Sequence, residues 1–267
     1  PTMGNLHEGH LELVKRAKAL ADSVVVSIFV NPLQFGSEED LDKYPRTMSK
    51  DKALLFSEGI NILFVPDEED IYPLGSQEQT LVVVPGLSNI LCGKNRPGHF
   101  EGVATVVTKL FNLVRPDFAI FGEKDYQQLS IIRKLVSDLE FSTKIVAAET
   151  VRDKDGLALS SRNAYLSDEE RKLAPLLYDT LAHCRDAIVS GFDNFLQLES
   201  HARIKLIESG FVPDYFSILD AHTLLEVTEK TEEVSILVAA KLGNTRLIDN
   251  IRLSMNASAD WGMLAAQ

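Results

Sequence analysis

Pro1-Thr2-Met3-Gly4-Asn5-Leu6-His7-Glu8-Gly9-His10 opens the chain, and the reading of the fold turns on it. A glycine-containing turn leads into apolar residues at helical spacing from Leu11. Its backbone N–H groups and the positive helix end are therefore expected to converge on one spot. Such a spot suits an anion, with phosphate the obvious guest. His7 and His10, three apart, fall on one side of the first helical turn and add two donors that can carry a proton near neutral pH. A plainer reading stands beside this one, because two histidines and a glutamate at a helix start also serve as caps and solvated surface. Zinc fits less well: the zincin pattern needs histidines four apart and a downstream ligand, and no Cys or carboxylate cluster completes a site.

Outward from this stretch the pattern alternates. Leu13, Val14, Ala17, Leu20 and Ala21 keep helical spacing, and residues 24–30 read as a strand apolar on both faces. Pro32 cannot continue a central ladder, so Asn31-Pro32-Leu33-Gln34-Phe35 is a loop at the strand's carboxyl end, where open α/β sheets place ligands. A helix over 48–58, a strand over 62–65, a solvated acidic loop over 67–70 and a strand over 81–84 follow. The basic, turn-rich stretch 92–100 puts Arg96 and His99 near the start of a helix with the stripe Val103, Val106, Val107, Leu110 and Val114. Residues 118–121 read as a buried strand, delivering Gly122-Glu123-Lys124-Asp125 to the same sheet end as Asn31–Gln34. Gln128 lies one turn into the next helix, and 144–149 is the last strand of the series. A βα turn like the opening one should itself follow an apolar strand in mid-sheet. The chain begins on the turn, so that strand is expected to be missing from the sequence given.

After residue 150 the character changes. Ser167 and Glu170 form a capping-box pattern, followed by a long helix to about 189, a second over 195–209, and strands over 215–219, 234–239 and 245–250; residues 256–267 read as a loosely held tail. The fold class is therefore α/β: a Rossmann-like, mostly parallel sheet with helices on both faces over 1–150, plus a smaller α+β domain over 151–267. His183, His201 and His222 read as structural or surface residues. The net charge of −12 argues against a general nucleic-acid or membrane-surface binder. Cys92 and Cys184 are too few for a disulfide framework, which fits a reducing cytoplasm, and no apolar run approaches the length of a membrane span.

Pro1–Gly4 followed by His7–His10 resembles the HxGH signature of the pantoate–beta-alanine ligases, within the nucleotidylyltransferase superfamily related to class I aminoacyl-tRNA synthetases. Tyr44-Pro45-Arg46-Thr47, the segment from Arg96 to Val107, the intact Gly122-Glu123-Lys124-Asp125-Tyr126-Gln127-Gln128-Leu129 and the ending Leu242–Asn250 resemble the same family. The resemblance implies ATP-dependent condensation of pantoate with β-alanine through a pantoyl adenylate, with AMP and pyrophosphate released and Mg²⁺ bound through ATP phosphates. It implies ATP contacts from Met3, Gly4, Asn5, Leu6, His7, Glu8, Gly9, His10, Gly122, Glu123, Lys124, Asp125, Val151, Leu159, Ser160, Ser161 and Arg162. His10, His7, Lys124, Ser160, Ser161 and Arg162 take catalytic roles. Gln34, Gln128, Arg96 and His99 would line the substrate pocket, with Tyr44 a weaker candidate. Thr47-Met48-Ser49-Lys50 mimics the synthetases' KMSKS loop but comes too early in the chain; its counterpart is Leu159–Arg162, carried by a lid-like second domain. A cytoplasmic homodimer is also implied. Two rival readings share the opening turn: a nucleotidyltransferase that leaves AMP on its product, and a non-catalytic nucleotide-binding regulator.

Overall fold

The computed structural model describes residues 1–36 and 41–255; the 256–267 tail and part of the acidic stretch at 38–42 lie outside the described residues. Internal contacts divide the chain into Pro1–Val151 and Arg152–Gln267.

The first unit alternates helices and short parallel strands: α1 (Glu8–Lys18), β1 (Val25–Ser27), α2 (Met48–Ser57), β2 (Ile62–Phe64), α3 (Glu68–Ile71), α4 (Leu91–Asn95), α5 (His99–Val114), β3 (Phe118–Gly122), α6 (Tyr126–Asp138) and β4 (Lys144–Ala148). β1 pairs with β2, Val25 opposite Ile62, and β3 with β4, Phe118 opposite Lys144. Thr2 makes a one-residue parallel bridge to Ile28 through Ser27 O and Phe29 N, on the edge of β1 away from β2. Leu6, Val14, Val24, Val26, Ile28 and Leu55 form a core under the opening turn. The α5 stripe is buried as its spacing requires, except that Val114 in the last turn is partly exposed. The helix stops at Arg115, left-handed at φ 50° and followed by Pro116, which cannot extend it.

Two first-unit expectations need correction. Residues 67–70 are not a loop: Asp67 and Asp70 form a reciprocal capping box that starts α3, and burial of Ile71 and Tyr72 holds it down. Residues 81–84 do not form a strand. The Val82 N–H donates to the Thr105 hydroxyl at 2.9 Å, so the backbone is satisfied by a helix side chain rather than a ladder.

The second unit holds α7 (Asp168–Leu173), α8 (Leu176–Val189), α9 (Phe195–Glu208), β5 (Phe211–Asp220), β6 (Glu233–Leu242) and β7 (Thr245–Ser254). Ser167 and Glu170 make the capping box read from the sequence. The single long helix does not survive: it breaks between Leu173 and Leu176, because Pro175 has no N–H for the preceding turn. The strands form one antiparallel sheet in the order β5-β6-β7 and are longer than their apolar cores suggest. Pro213, beside the register shift in β5, is tolerated because β5 is an edge. Leu177, Leu181, Leu206, Phe216, Ile236 and Val238 centre the core between helices and sheet.

Candidate active site

The opening turn works differently from an amide nest. Gly4 and Asn5 are left-handed, at φ 77° and 51°, which turns the Asn5 and Leu6 N–H groups inward onto the Asp51 carboxylate at 2.9 and 2.8 Å. The Gly4 N–H goes to the Thr2 hydroxyl, and the Gly9 N–H to His7 Nδ1 at 3.2 Å. The His7 N–H goes to His10 Nδ1 at 3.3 Å. The backbone donors expected to cradle an anion are thus mostly engaged by the protein, because a buried carboxylate carried on α2 is always present to take them. Asp51 is 1% exposed and also accepts from the Thr47 hydroxyl at 3.1 Å.

This capping fixes the chemistry of both imidazoles. His7 is the N-cap of α1, which therefore starts at Glu8 rather than Leu11. A backbone N–H only donates, so each Nδ1 that accepts one is bare and each proton of a neutral ring sits on Nε2. The rings stand 4.1 Å apart, tilted 54°. Burial, then repulsion from His7 and Lys124, lowers His10 from the imidazole range to about 3, against the opposing pull of Asp125. His7 is lowered as well, by burial and then by Lys124. The expectation that these histidines carry protons near neutral pH is therefore corrected: they are neutral Nε2–H donors. The capping reading and the donor reading are both true, on opposite sides of each ring.

Lys124 and Asp125 lie in the turn that leaves β3, and their charges act on both histidines, which places Gly122–Asp125 beside the opening turn. The Lys124 side chain is 17% exposed, with Nζ 3.9 Å from the Asp125 carboxylate. Lys124, rather than an imidazolium, supplies positive charge to this cluster. Glu8 is exposed at the helix start, and the Leu6 side chain belongs to the core.

A third loop joins them. Gln34 ends a 3-10 turn over Pro32–Gln34, its amide nitrogen 2.9 Å from the Met3 sulfur and its amide oxygen 3.2 Å from Asn31 Nδ2. Asn31 is buried, bonded to Gly102 O at 3.1 Å, and accepts from the Tyr72 hydroxyl at 2.7 Å. Arg96 Nη1 lies 3.0 Å from His99 Nε2; a guanidinium only donates, so His99 keeps its proton on Nδ1 and gives it to Gln34 O at 2.7 Å. Arg96 and His99 thus brace the Gln34 backbone. Gln128 is half-buried, and its amide makes no hydrogen bond among the described residues. Its neighbour Gln127 is consumed by Cys92 N, Leu87 O and Ile90 O. Tyr44 packs its ring edgewise on Phe35 at 5.6 Å.

In the second unit Ser160 caps a 3-10 turn over Ser161–Tyr165, its hydroxyl accepting the Arg162 N–H at 3.2 Å. Leu159, Ser160 and Ser161 are half-buried and Arg162 is exposed; Val151 ends the first unit, half-buried. Thr47, at the start of the KMSKS look-alike, precedes α2 and serves Asp51. His183, His201 and His222 are exposed, and both cysteines are buried thiols outside any disulfide. No group of three His, Cys, Asp or Glu suited to a metal occurs among the described residues.

A family model described as pantoate-beta-alanine ligase matches residues 1–252. The chain belongs to the pantoate-beta-alanine ligase family. Among relatives of this ligase, pantothenate synthetase of Marinobacter nauticus is 54% identical over 254 residues, covering 95% of this chain and 90% of its own. That of Idiomarina loihiensis is 54% identical over 259 residues, covering 97% and 92%. The crystal structure of pantothenate synthetase from Thermus thermophilus superposes with a TM-score of 0.88 at 47% identity, covering 94% of this chain and 91% of that one. The pantoate-beta-alanine ligase of Francisella tularensis, complexed with beta-gamma ATP and beta-alanine, gives 0.76 at 37% identity, covering 94% and 87%.

Asp51, Tyr72 and Gly102 are site-building residues that the sequence reading missed. Asp51 left a trace, since it sits four before the buried Leu55 and so falls in the apolar row of α2. Gly102 left another, as a glycine inside a helix needs a reason. A Cβ there would lie 2.3 Å from Leu33 O and 2.7 Å from Gln34 N, so α5 can approach the Gln34 loop only because the side chain is absent. Gly102→Ala should lower stability by about 1–3 kcal/mol, the range for overpacking a close contact. Denaturant titration checks this, and an unchanged midpoint would remove the steric assignment.

Proposed function

We propose that this chain condenses pantoate with β-alanine in two steps at the expense of ATP. The observation that carries the reading is the grouping of two neutral Nε2–H donors, one ammonium and the Gln34 loop at one end of the first unit. In the first step the pantoate carboxylate attacks the α-phosphorus in line and pyrophosphate leaves. Charge grows on the phosphoryl oxygens and the leaving group, so fixed donors and a cation are the catalysts required, without a protein nucleophile. His10 donates from Nε2 to the reacting phosphate, His7 supports it, and Lys124 neutralises phosphate charge. Ser160, Ser161 and Arg162 engage the triphosphate from their loop, and Val151, Leu159 and the Gly122–Asp125 turn contact the nucleotide. Gln34 and Gln128 hold pantoate, with Arg96 and His99 keeping Gln34 in place. In the second step the neutral amine of β-alanine attacks the acyl carbon and AMP departs.

Mg²⁺ carried in with ATP would add to the charge neutralisation that Lys124 supplies in the first step, and a metal held by the nucleotide would need no cage of three protein ligands. The family resemblance supports a cytoplasmic homodimer, which sedimentation analysis would check for assembly state.

Pantoate-dependent ATP–pyrophosphate exchange, followed by AMP release on adding β-alanine, tests the reading. Exchange without pantoate, or AMP left on the final product, would point instead to a nucleotidyltransferase; nucleotide binding without exchange would point to a regulator. Lys124→Ala should reduce exchange by about tenfold to a hundredfold, as expected for loss of one fixed charge at a phosphoryl group. Undiminished exchange would take Lys124 out of the first step.

A further inference from the structure

We infer that Asp249 is a positioning residue for adenylate formation, acting through Arg152 on the loop that carries Ser160, Ser161 and Arg162; the inference rests on the ligase reading above. Asp249 lies on β7, far from that loop in sequence, and its side chain is 2% exposed. It receives both arms of the Arg152 guanidinium, Nη1 at 2.5 Å and Nη2 at 2.9 Å. The paired geometry fixes the direction of the arginine as well as its distance. The guanidinium lies 3.9 Å above the centre of the Tyr178 ring of α8, and also donates to Gly156 O at 3.1 Å and Asn250 O at 3.4 Å. Arg152 is thus held between a helix and a sheet while itself holding the far side of its own turn.

That turn is the base of the loop. Arg152 bridges Ala158 in antiparallel fashion, and the Asp153 N–H donates to Leu157 O at 2.8 Å. Leu157 sits in the second unit's core. On the outer side Arg171 of α7 reaches Asp155 at 2.6 Å and Asp153 at 2.9 Å. One part-buried and one more exposed arginine clamp thus fix residues 152–158, and the chain leaves this anchored base at Leu159 directly into the catalytic stub. A stub of a few residues on a rigid base has a defined reach; on a loose base its hydroxyls and guanidinium would spread over many positions. Phosphoryl transfer relies on positioning, so the first half-reaction should feel the loss and the second should not.

The test uses Asp249→Asn in the full chain, with both half-reactions measured beside the unfolding midpoint. Pantoate-dependent pyrophosphate exchange should fall about tenfold or require correspondingly more ATP, within the range for a small misplacement of reacting groups. AMP release from preformed pantoyl adenylate by β-alanine should stay near the unaltered rate. Parallel loss of both half-reactions, or loss of neither, overturns the inference, because a merely structural pair would scale both with the folded fraction. Should Asp249→Asn fail to fold, Arg152→Lys decides. It keeps the positive charge but loses the paired contact with Asp249, and should give the same selective loss; unchanged exchange there overturns the inference. Absence of exchange in the unaltered chain would instead fail the ligase reading itself.

Discussion

His10→Asn is expected to lower pantoate-dependent pyrophosphate exchange by about a hundredfold or more while leaving the fold intact, the range for a lost oxyanion-type donor. The choice of Asn separates the two sides of the ring. An Asn side-chain oxygen can take the His7 N–H that Nδ1 now accepts at 3.3 Å, so the helix cap persists and only the distal Nε2–H disappears. His10→Gln, which restores a distal N–H, should recover part of the activity. Near-normal exchange in the Asn variant would remove His10 from the reaction. The same variant reports on pH. Free imidazole titrates near 6.5, whereas folded His10 stays neutral to about 3. Between those values the unfolded chain binds a proton that the folded chain does not. The contribution is therefore fully present above about 6.5 and lost as pH falls toward 3. Unfolding midpoints from pH 7 to 4 should fall less steeply for His10→Asn than for the unaltered chain, and equal slopes would contradict the burial of a neutral ring.

Asp51→Ala should cost about 3–5 kcal/mol, the sum expected when a buried charged acceptor of several hydrogen bonds is removed and its donors are stranded. The carboxylate holds Asn5 N, Leu6 N and the Thr47 hydroxyl, and the Leu6 side chain is buried in the adjoining core. Asp51→Asn should be nearly as damaging, since its amide would place a donor against one of two backbone donors. Both variants should also lose exchange activity beyond the loss of folded protein, because the freed turn no longer sets His7 and His10. Denaturant titration with either variant within 1 kcal/mol of the unaltered chain would show that the turn stands without the carboxylate.

Asp51 also marks where sequence reading stopped. Helices and parallel strands were legible because apolar spacing follows the periods of the elements, as in Leu11 and Val14 on α1 or the α5 stripe. Stretches satisfied by a partner from elsewhere misled it. Leu81–Val84 has strand composition, but its Val82 N–H belongs to Thr105. The acidic run at 67–70 is solvated as its composition suggests, but it starts a helix rather than a loop, and that helix leads into the buried Tyr72, whose hydroxyl holds Asn31. Of two adjacent glutamines in one motif, spacing alone could not tell that Gln127 is spent on three backbone groups while Gln128 is not.

The sequence by itself determined the alternating α/β plan, the capped helix at Ser167, the family and the identities of the candidate site residues, because each is written in local spacing or contiguous motif. Only the tertiary structure decided what those residues are chemically. His7 and His10 are neutral donors rather than cations, and the turn's amides answer to Asp51 rather than to a phosphate. Protonation and hydrogen-bond direction depend on burial and on partners tens of residues away. The chain brings those together only when it folds.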